Sequence, residues 1–182
     1  MLPTSSFCVV VLMSAPSFKL LFSHPAHFIS LGLGSGLAPA APGTFGSLAA
    51  WGLYALVESF VPPMFPAWWP AVFLVLAFLL GVVCIGKTGV ALGEVDHGAI
   101  VWDEFVAVWL VLWIVPPTFS WQALAVLTFR FFDILKPWPV GWVDAHLKNG
   151  FGVMFDDLLA AGYTLLFLMG ISWLAMNYLV GH

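Results

Sequence analysis

From Leu158 to Val180 no charged side chain interrupts the chain, and further uncharged stretches lie between His27 and Glu58, Glu58 and Lys87, and Glu104 and Arg130. A helix needs ~20 apolar residues to cross the hydrocarbon core of a bilayer. Four such stretches in 182 residues leave little chain for anything but membrane-embedded helices. Composition agrees: 62% of residues are hydrophobic and 8% charged, against roughly 45–50% and about 25% in soluble domains. A soluble single domain and a disordered chain are both excluded on this ground. The net charge of −4 is too weak and of the wrong sign for a general nucleic-acid binder.

Prolines divide the uncharged stretches. Pro62, Pro63 and Pro66 break one near its start, and Pro116 and Pro117 split another. Five spans result, at about 45–61, 67–86, 99–115, 120–135 and 158–180, the first short enough to be re-entrant or interfacial. The expected fold is an all-α polytopic membrane helical bundle with four to five membrane-embedded helices. A Gly/Pro-rich loop leads into the first of them. Residues 1–24 read as a flexible or interfacial leader, because the apolar run Phe7–Met13 lacks the basic start of a signal peptide. Residues 25–182 read as one membrane-embedded domain. Cys8 and Cys84 have no Cys or His at metal-ligand spacing, so neither a zinc site nor a disulfide framework is expected. No internal repeat of the kind transporters use is visible.

If all five spans cross, Lys19, Lys87, Lys136 and Lys148 fall on one side, and the opposite loops carry no Lys or Arg. The positive-inside rule assigns the lysine side to the cytoplasm. Trp68, Trp69 and Trp121 then mark one membrane boundary, and Trp102, Trp138 and Trp142 the other. The same side collects every acid except Glu58. Coupling-ion sites of transporters tend to lie near the midplane, so this distribution points to an interfacial site facing lipid headgroups.

Each polar cluster has a structural and a chemical reading. The Gly-rich segment Gly32–Ser47 serves either close helix packing or, through Thr44 and Ser47 at a helix start, phosphate binding; it lacks the Gly-Lys-Ser/Thr of a P-loop. Asp103 and Glu104, ~6 Å into the third span, either exploit a helix dipole or join partners from other segments around a metal. Arg130, Asp133 and Lys136, three apart in turn, lie near one helix face. They form either a salt bridge with a snorkelling lysine or a metal ligand beside phosphate-holding cations. Asp156 and Asp157 either open the last helix or complete an oxygen-rich Mg²⁺ site. His97 and His146 read as surface imidazoles or bases.

Hard carboxylates without a Cys/His cluster suit Mg²⁺, and Mg²⁺ with cations and helix N-termini suits phosphoryl chemistry. Other phosphatase routes are closed. Ser14 and Val90 stand where a cysteine phosphatase would need Arg, no Asp-x-Asp occurs, and Arg130 is the sole arginine. The blocks Gly34–Ala49, Asp96–Phe105, Arg130–Pro139 and Gly152–Gly162 resemble, in order and spacing, the signature blocks of the phosphatidylglycerophosphatase A family. The resemblance covers roughly residues 25–180. It implies a multi-pass enzyme of the bacterial inner membrane, its active site facing the cytoplasm. The implied reaction is Mg²⁺-dependent hydrolysis of phosphatidylglycerophosphate to phosphatidylglycerol and phosphate.

On this basis Asp103, Glu104, Asp133 and one or both of Asp156 and Asp157 are expected to hold Mg²⁺. One carboxylate, Asp157 or Glu104, instead orients or deprotonates the attacking water. Arg130, Lys136 and the Thr44–Ser47 helix start are expected to bind phosphate. The partner is a membrane phospholipid, with no nucleic acid, and the oligomeric state stays open. The competing readings are a phosphatase for another membrane lipid phosphate and a small transporter or channel subunit. The latter would need a polar path through the bilayer, which the uncharged outer halves of the spans do not offer.

Overall fold

The computed structural model describes residues 16–60 and 67–180. These residues are all-helical: α1 (Phe18–Leu21), α2 (Pro25–Ser30), a 3₁₀ segment (Gly32–Leu37), α3 (Pro42–Phe60), α4 (Trp69–Leu92), α5 (Trp102–Ile114), α6 (Phe119–Leu135), α7 (Val140–His146) and α8 (Gly150–Val180). The expected run Phe7–Met13, Cys8 and the prolines at 62, 63 and 66 lie outside the described residues. The part of the leader that is described is packed, with Leu20 and Leu21 buried.

Local chemistry sets the helix ends. Ser17 caps α1 by accepting from the Leu20 N–H at 3.3 Å, and the His24 ring caps α2 by accepting from the Ala26 N–H at 3.0 Å. Val115 stops α5 in an extended conformation, as a residue before proline must. Lys136 ends α6 in the left-handed region with φ 44°, and Pro137 prevents continuation.

α5 is the centre of the bundle. Of its 13 residues, Trp102 to Trp109, Val111 and Leu112 are buried, and α3, α4, α6 and α8 pack around it. A helix apolar all round belongs in such a position. Small residues allow close approach where the helices meet: Ala107 on α5, Ala125 on α6, and Ala160 and Ala161 on α8 are all at 0% exposure. Indole N–H groups tie the layers. Trp102 donates to the Ala77 carbonyl at 3.0 Å and Trp109 to the Ala50 carbonyl at 2.9 Å. Trp102 is thus a core residue and not part of an aromatic belt, because its N–H is spent on the α4 backbone. Trp68, Trp138 and Trp142 are exposed.

All five expected spans are helices with shifted ends. Two of them, α4 and α8 (Gly150–Tyr178), are long and apolar enough to cross a bilayer alone. At 13 residues α5 is shorter than a full crossing, and α6 at 17 is at the lower limit of one. The outer faces of α4 and α8 expose Leu76, Val83, Leu166, Met169 and Leu174. The last helix starts at Gly150 rather than near 158, which carries Asp156 and Asp157 into its second turn instead of the preceding loop. The first begins at Pro42, so Thr44 and Ser47 are inside its opening turns.

Candidate active site

Up-and-down chain direction brings the start of α5, the end of α6 and the start of α8 to one end of the bundle. Each delivers acids there. Asp103 and Glu104 occupy the first turn of α5, where the positive helix end favours carboxylates. Asp133 sits in the last turns of α6, and Asp156 and Asp157 in α8. Asp103, Glu104, Asp156 and Asp157 are all buried. Asp103 and Asp157 each lie close enough to the others, and to Asp133, to feel their charge. Adjacent acids on one helix diverge by ~100°, and here other segments supply the partners of each.

Arg130 organises one half of the site. Its Nη1 donates to Glu104 Oε1 at 2.9 Å and pairs with Asp133 Oδ2. The intrahelical pair at i, i+3 is therefore formed, but α5 shares it. Glu104 also accepts from the Ser47 hydroxyl at 3.3 Å. Ser47 is fully buried. It was expected at a phosphate, but its hydroxyl is committed to Glu104, whereas Thr44 is exposed at the opening of α3.

Gly43 and Gly46 make this approach possible: a Cβ on Gly43 would collide with Glu104 Oε1, and one on Gly46 would lie 2.7 Å from Oε2. The segment's glycines do more than allow close helix packing: they bring the α3 start against a carboxylate and a guanidinium.

Removing the Arg130 side chain would leave Glu104 and Asp133, each less than one-eighth exposed, without their cation. Breaking a buried pair in this way costs about 3–5 kcal/mol. Arg130→Ala is expected to lower the thermal unfolding midpoint of the detergent-solubilised protein sharply, with Arg130→Lys in between. An unchanged midpoint in Arg130→Ala refutes this account of the pair.

Lys136 belongs to the other half. Placed in the left-handed cap, it leaves the face it was expected to share with Arg130 and Asp133. Its Nζ pairs with Asp144 Oδ1 and Asp156 Oδ2, both at 3.0 Å. Burial by itself would lower the lysine pKa. Asp156 and Asp144 outweigh it and hold the ammonium above the ordinary lysine range. Burial pushes the Asp144 carboxyl up, but Lys136, then hydrogen bonding with Asp96 and Lys148, outweighs it and holds the group below its ordinary value. Lys148 continues the series to Asp144 at 3.3 Å and Asp96 at 2.9 Å.

The result is a chain of alternating charge, Asp156–Lys136–Asp144–Lys148–Asp96, running outward from the buried acid. The sequence marks Lys148 only as a charge on the cytoplasmic side and Asp96 only as the start of a family block, and it gives Asp144 no role of its own. The i, i+4 spacing of Asp144 and Lys148 was a readable signal, but the Asp96 contact was not. His97 and His146 are local braces: His97 Nδ1 accepts from the Ala99 N–H at 3.1 Å, and His146 stacks on Trp142.

Two buried carboxylate oxygens, Asp103 Oδ1 and Asp157 Oδ2, have no hydrogen-bond partner. Among the described residues, no three Asp, Glu, His or Cys side chains converge closely enough to form a ready-made metal cage. The site therefore consists of buried acids at one bundle end, two of them with open oxygens, flanked by a guanidinium, an ammonium and a glycine-lined helix start.

The phosphatidylglycerophosphatase A family model matches residues 28–172, which takes in every one of these side chains. The chain belongs to the phosphatidylglycerophosphatase A family. The phosphatidylglycerophosphatase A of Haemophilus influenzae is 44% identical over 160 residues, covering 87% of this chain and 95% of the relative. That of Escherichia coli is 38% identical over 167 residues, covering 90% and 88%. A Bacteroides thetaiotaomicron protein provisionally named phosphatidylinositol-3-phosphatase is 36% identical over 148 residues, covering 80% and 92%. No solved structure matches the chain. Membership of the phosphatidylglycerophosphatase A family places the chain among the hydrolases, as a phosphatase.

Proposed function

We propose that this chain hydrolyses phosphatidylglycerophosphate to phosphatidylglycerol and phosphate at the cytoplasmic face of a bacterial inner membrane. The reading is carried by the gathering of Asp103, Glu104, Asp133, Asp156 and Asp157 beside Arg130 and Lys136, in a chain of this family. Burying several acids at a membrane-embedded bundle end is costly without a function. The lysine distribution supports the cytoplasmic orientation and a multi-pass chain, with α3, α5 and α6 enclosed between or beside α4 and α8.

Mg²⁺ is the cofactor we infer. It takes oxygen ligands, keeps several waters and needs only one or two carboxylates in addition to substrate phosphate. An all-oxygen donor set with two open buried oxygens fits that demand, and a complete protein cage is not required. Asp103 and Asp133 are the residues that would hold it, Asp133 by the oxygen not paired with Arg130, with Glu104 and Asp156 held by cations at the edge and Asp157 left to the water. When bound, the ion supplies charge neutralisation at the phosphate and lowers the pKa of bound water.

The remaining roles fall to the chain's own groups. Arg130 and Lys136 offer N–H donors to phosphate oxygens, and the α3 start with Thr44 adds backbone donors. Water adds to phosphorus, and a carboxylate takes its proton. Asp157, with an open oxygen, is better placed for this than Glu104, which already accepts from Arg130 and Ser47. The bond between phosphorus and the glycerol oxygen breaks, and that oxygen takes a proton to become the alcohol of phosphatidylglycerol. The acyl chains stay in the inner leaflet throughout.

The Bacteroides relative favours one alternative, a phosphatase for another lipid phosphate. Purified protein in detergent micelles, with Mg²⁺, should release phosphate from phosphatidylglycerophosphate at least about tenfold faster than from phosphatidic acid, phosphatidylinositol-3-phosphate or an isoprenoid phosphate, a margin of ~1.4 kcal/mol in barrier. Equal or faster release from one of the others would reassign the substrate. Ion flux in liposomes without any phosphate release would revive the transporter reading.

A further inference from the structure

Away from the carboxylates, two nitrogen groups meet in an arrangement that lacks an acceptor. A neutral imidazole has one lone pair for hydrogen bonding and one N–H. Two donors are directed at His24. The Ala26 N–H reaches Nδ1 at 3.0 Å, and Lys87 Nζ stands 3.2 Å from Nε2. The first bond caps α2 and assigns the lone pair to Nδ1, so Nε2 carries the hydrogen and faces an ammonium. The other tautomer only moves the conflict, leaving the Ala26 N–H against an N–H.

Among the described residues no carboxylate lies within ion-pair distance of either group, whereas Arg130, Lys136 and Lys148 each have at least two. The local field is positive. The pKa of the neighbouring His27, whose Nδ1 meets Thr88 Oγ1 at 3.0 Å, is lowered first by burial and then by His24 and Lys87.

Both side chains are exposed, so water can meet either donor singly; one group that meets both together and balances the ammonium is an anion with several acceptor oxygens. Its surroundings identify the source. Val83 and Val90, four residues before and three after Lys87 on one face of α4, are 67% and 71% exposed, and Phe22 beside His24 is 72% exposed. A soluble anion has no use for an apolar flank, whereas acyl chains do. A lysine at a bilayer surface also attracts anionic headgroups.

We propose that His24 and Lys87 form a second phosphate site, separate from the carboxylates, which holds the headgroup of an anionic membrane phospholipid with its chains along the outer face of α4. Both donors bind the same phosphate, Lys87 as the charge and His24 Nε2 as the directional hydrogen bond. The site does not depend on the proposed reaction, since neither residue touches the acids that would perform it.

The test uses full-length, ¹⁵N-histidine-labelled protein in uncharged micelles at fixed pH. The His24 ring resonance, assigned with His24→Gln, is followed during titration with short-chain phosphatidylglycerol, short-chain phosphatidylcholine and inorganic phosphate. Phosphatidylglycerol should shift it saturably. Lys87→Met should weaken that binding by about tenfold or more, and Lys87→Arg should largely restore it. Phosphate release by Lys87→Met should persist, showing that the variant is folded.

Inorganic phosphate saturating the site as readily as the lipid would overturn the lipid assignment. Phosphatidylcholine binding equally well would overturn its selectivity for net negative charge. No shift with any of the three, or equal affinity in Lys87→Met, would overturn the site itself.

Discussion

An Asp103→Asn protein is expected to fold as well as its parent and to release phosphate at least about a hundredfold more slowly. The two properties separate because of where this carboxylate lies. Asp103 is buried, its Oδ1 has no hydrogen-bond partner, and its neighbours Glu104, Asp156 and Asp133 all carry like charge. The amide keeps the shape and removes one carboxyl from a crowded set of acids. Stability should therefore hold or rise, the usual cost of function to a fold seen in reverse. Paired measurements decide it: thermal unfolding in detergent and phosphate release with Mg²⁺. Near-parental turnover in a well-folded Asp103→Asn protein would remove the acid cluster from the chemistry.

Exhaustive chelation is expected to stop turnover altogether, and added Mg²⁺ to restore it. Five acids held near one another repel, and a divalent cation relieves that repulsion while serving the phosphate. The same reasoning predicts that Mg²⁺ raises the unfolding midpoint of the parent, in proportion to RT ln(1 + [L]/Kd), and raises it less in Asp103→Asn. Turnover that survives thorough chelation would take Mg²⁺ out of the proposal, and leave the cations and the α3 start as the phosphate-stabilising groups.

The acids and cations were legible because charge is so scarce in this chain. Once the uncharged stretches are set aside, Asp103, Glu104, Arg130, Asp133, Lys136, Asp156 and Asp157 stand out by elimination, and the structure brings them to one end of the bundle. Their partners were less legible. The i, i+3 spacing continues a helical face to Lys136, but a left-handed cap before Pro137 turns it toward α7 and α8. The Asp96–Lys148 contact joins residues 52 apart, and no local pattern announces it. The enrichment of tryptophan at interfaces points Trp102 to a membrane boundary; depth within a bundle depends on neighbouring helices, which periodicity along one segment does not report. Gly43 and Gly46 show the same limit: the sequence displays the missing side chains, and only the fold shows that Glu104 fills the space.

The carboxylates come from three separate helices, and two of them are paired from other elements. Glu104 on α5 depends on Arg130 from α6 and Ser47 from α3, and Asp156 on α8 depends on Lys136 beyond α6. No fragment of the chain therefore holds the constellation, and a half-inserted chain has acids in an apolar setting with nothing to balance them. Catalytic competence and completed assembly are in this sense one event, so phosphate release would serve as a direct assay for whether the bundle has closed during membrane insertion.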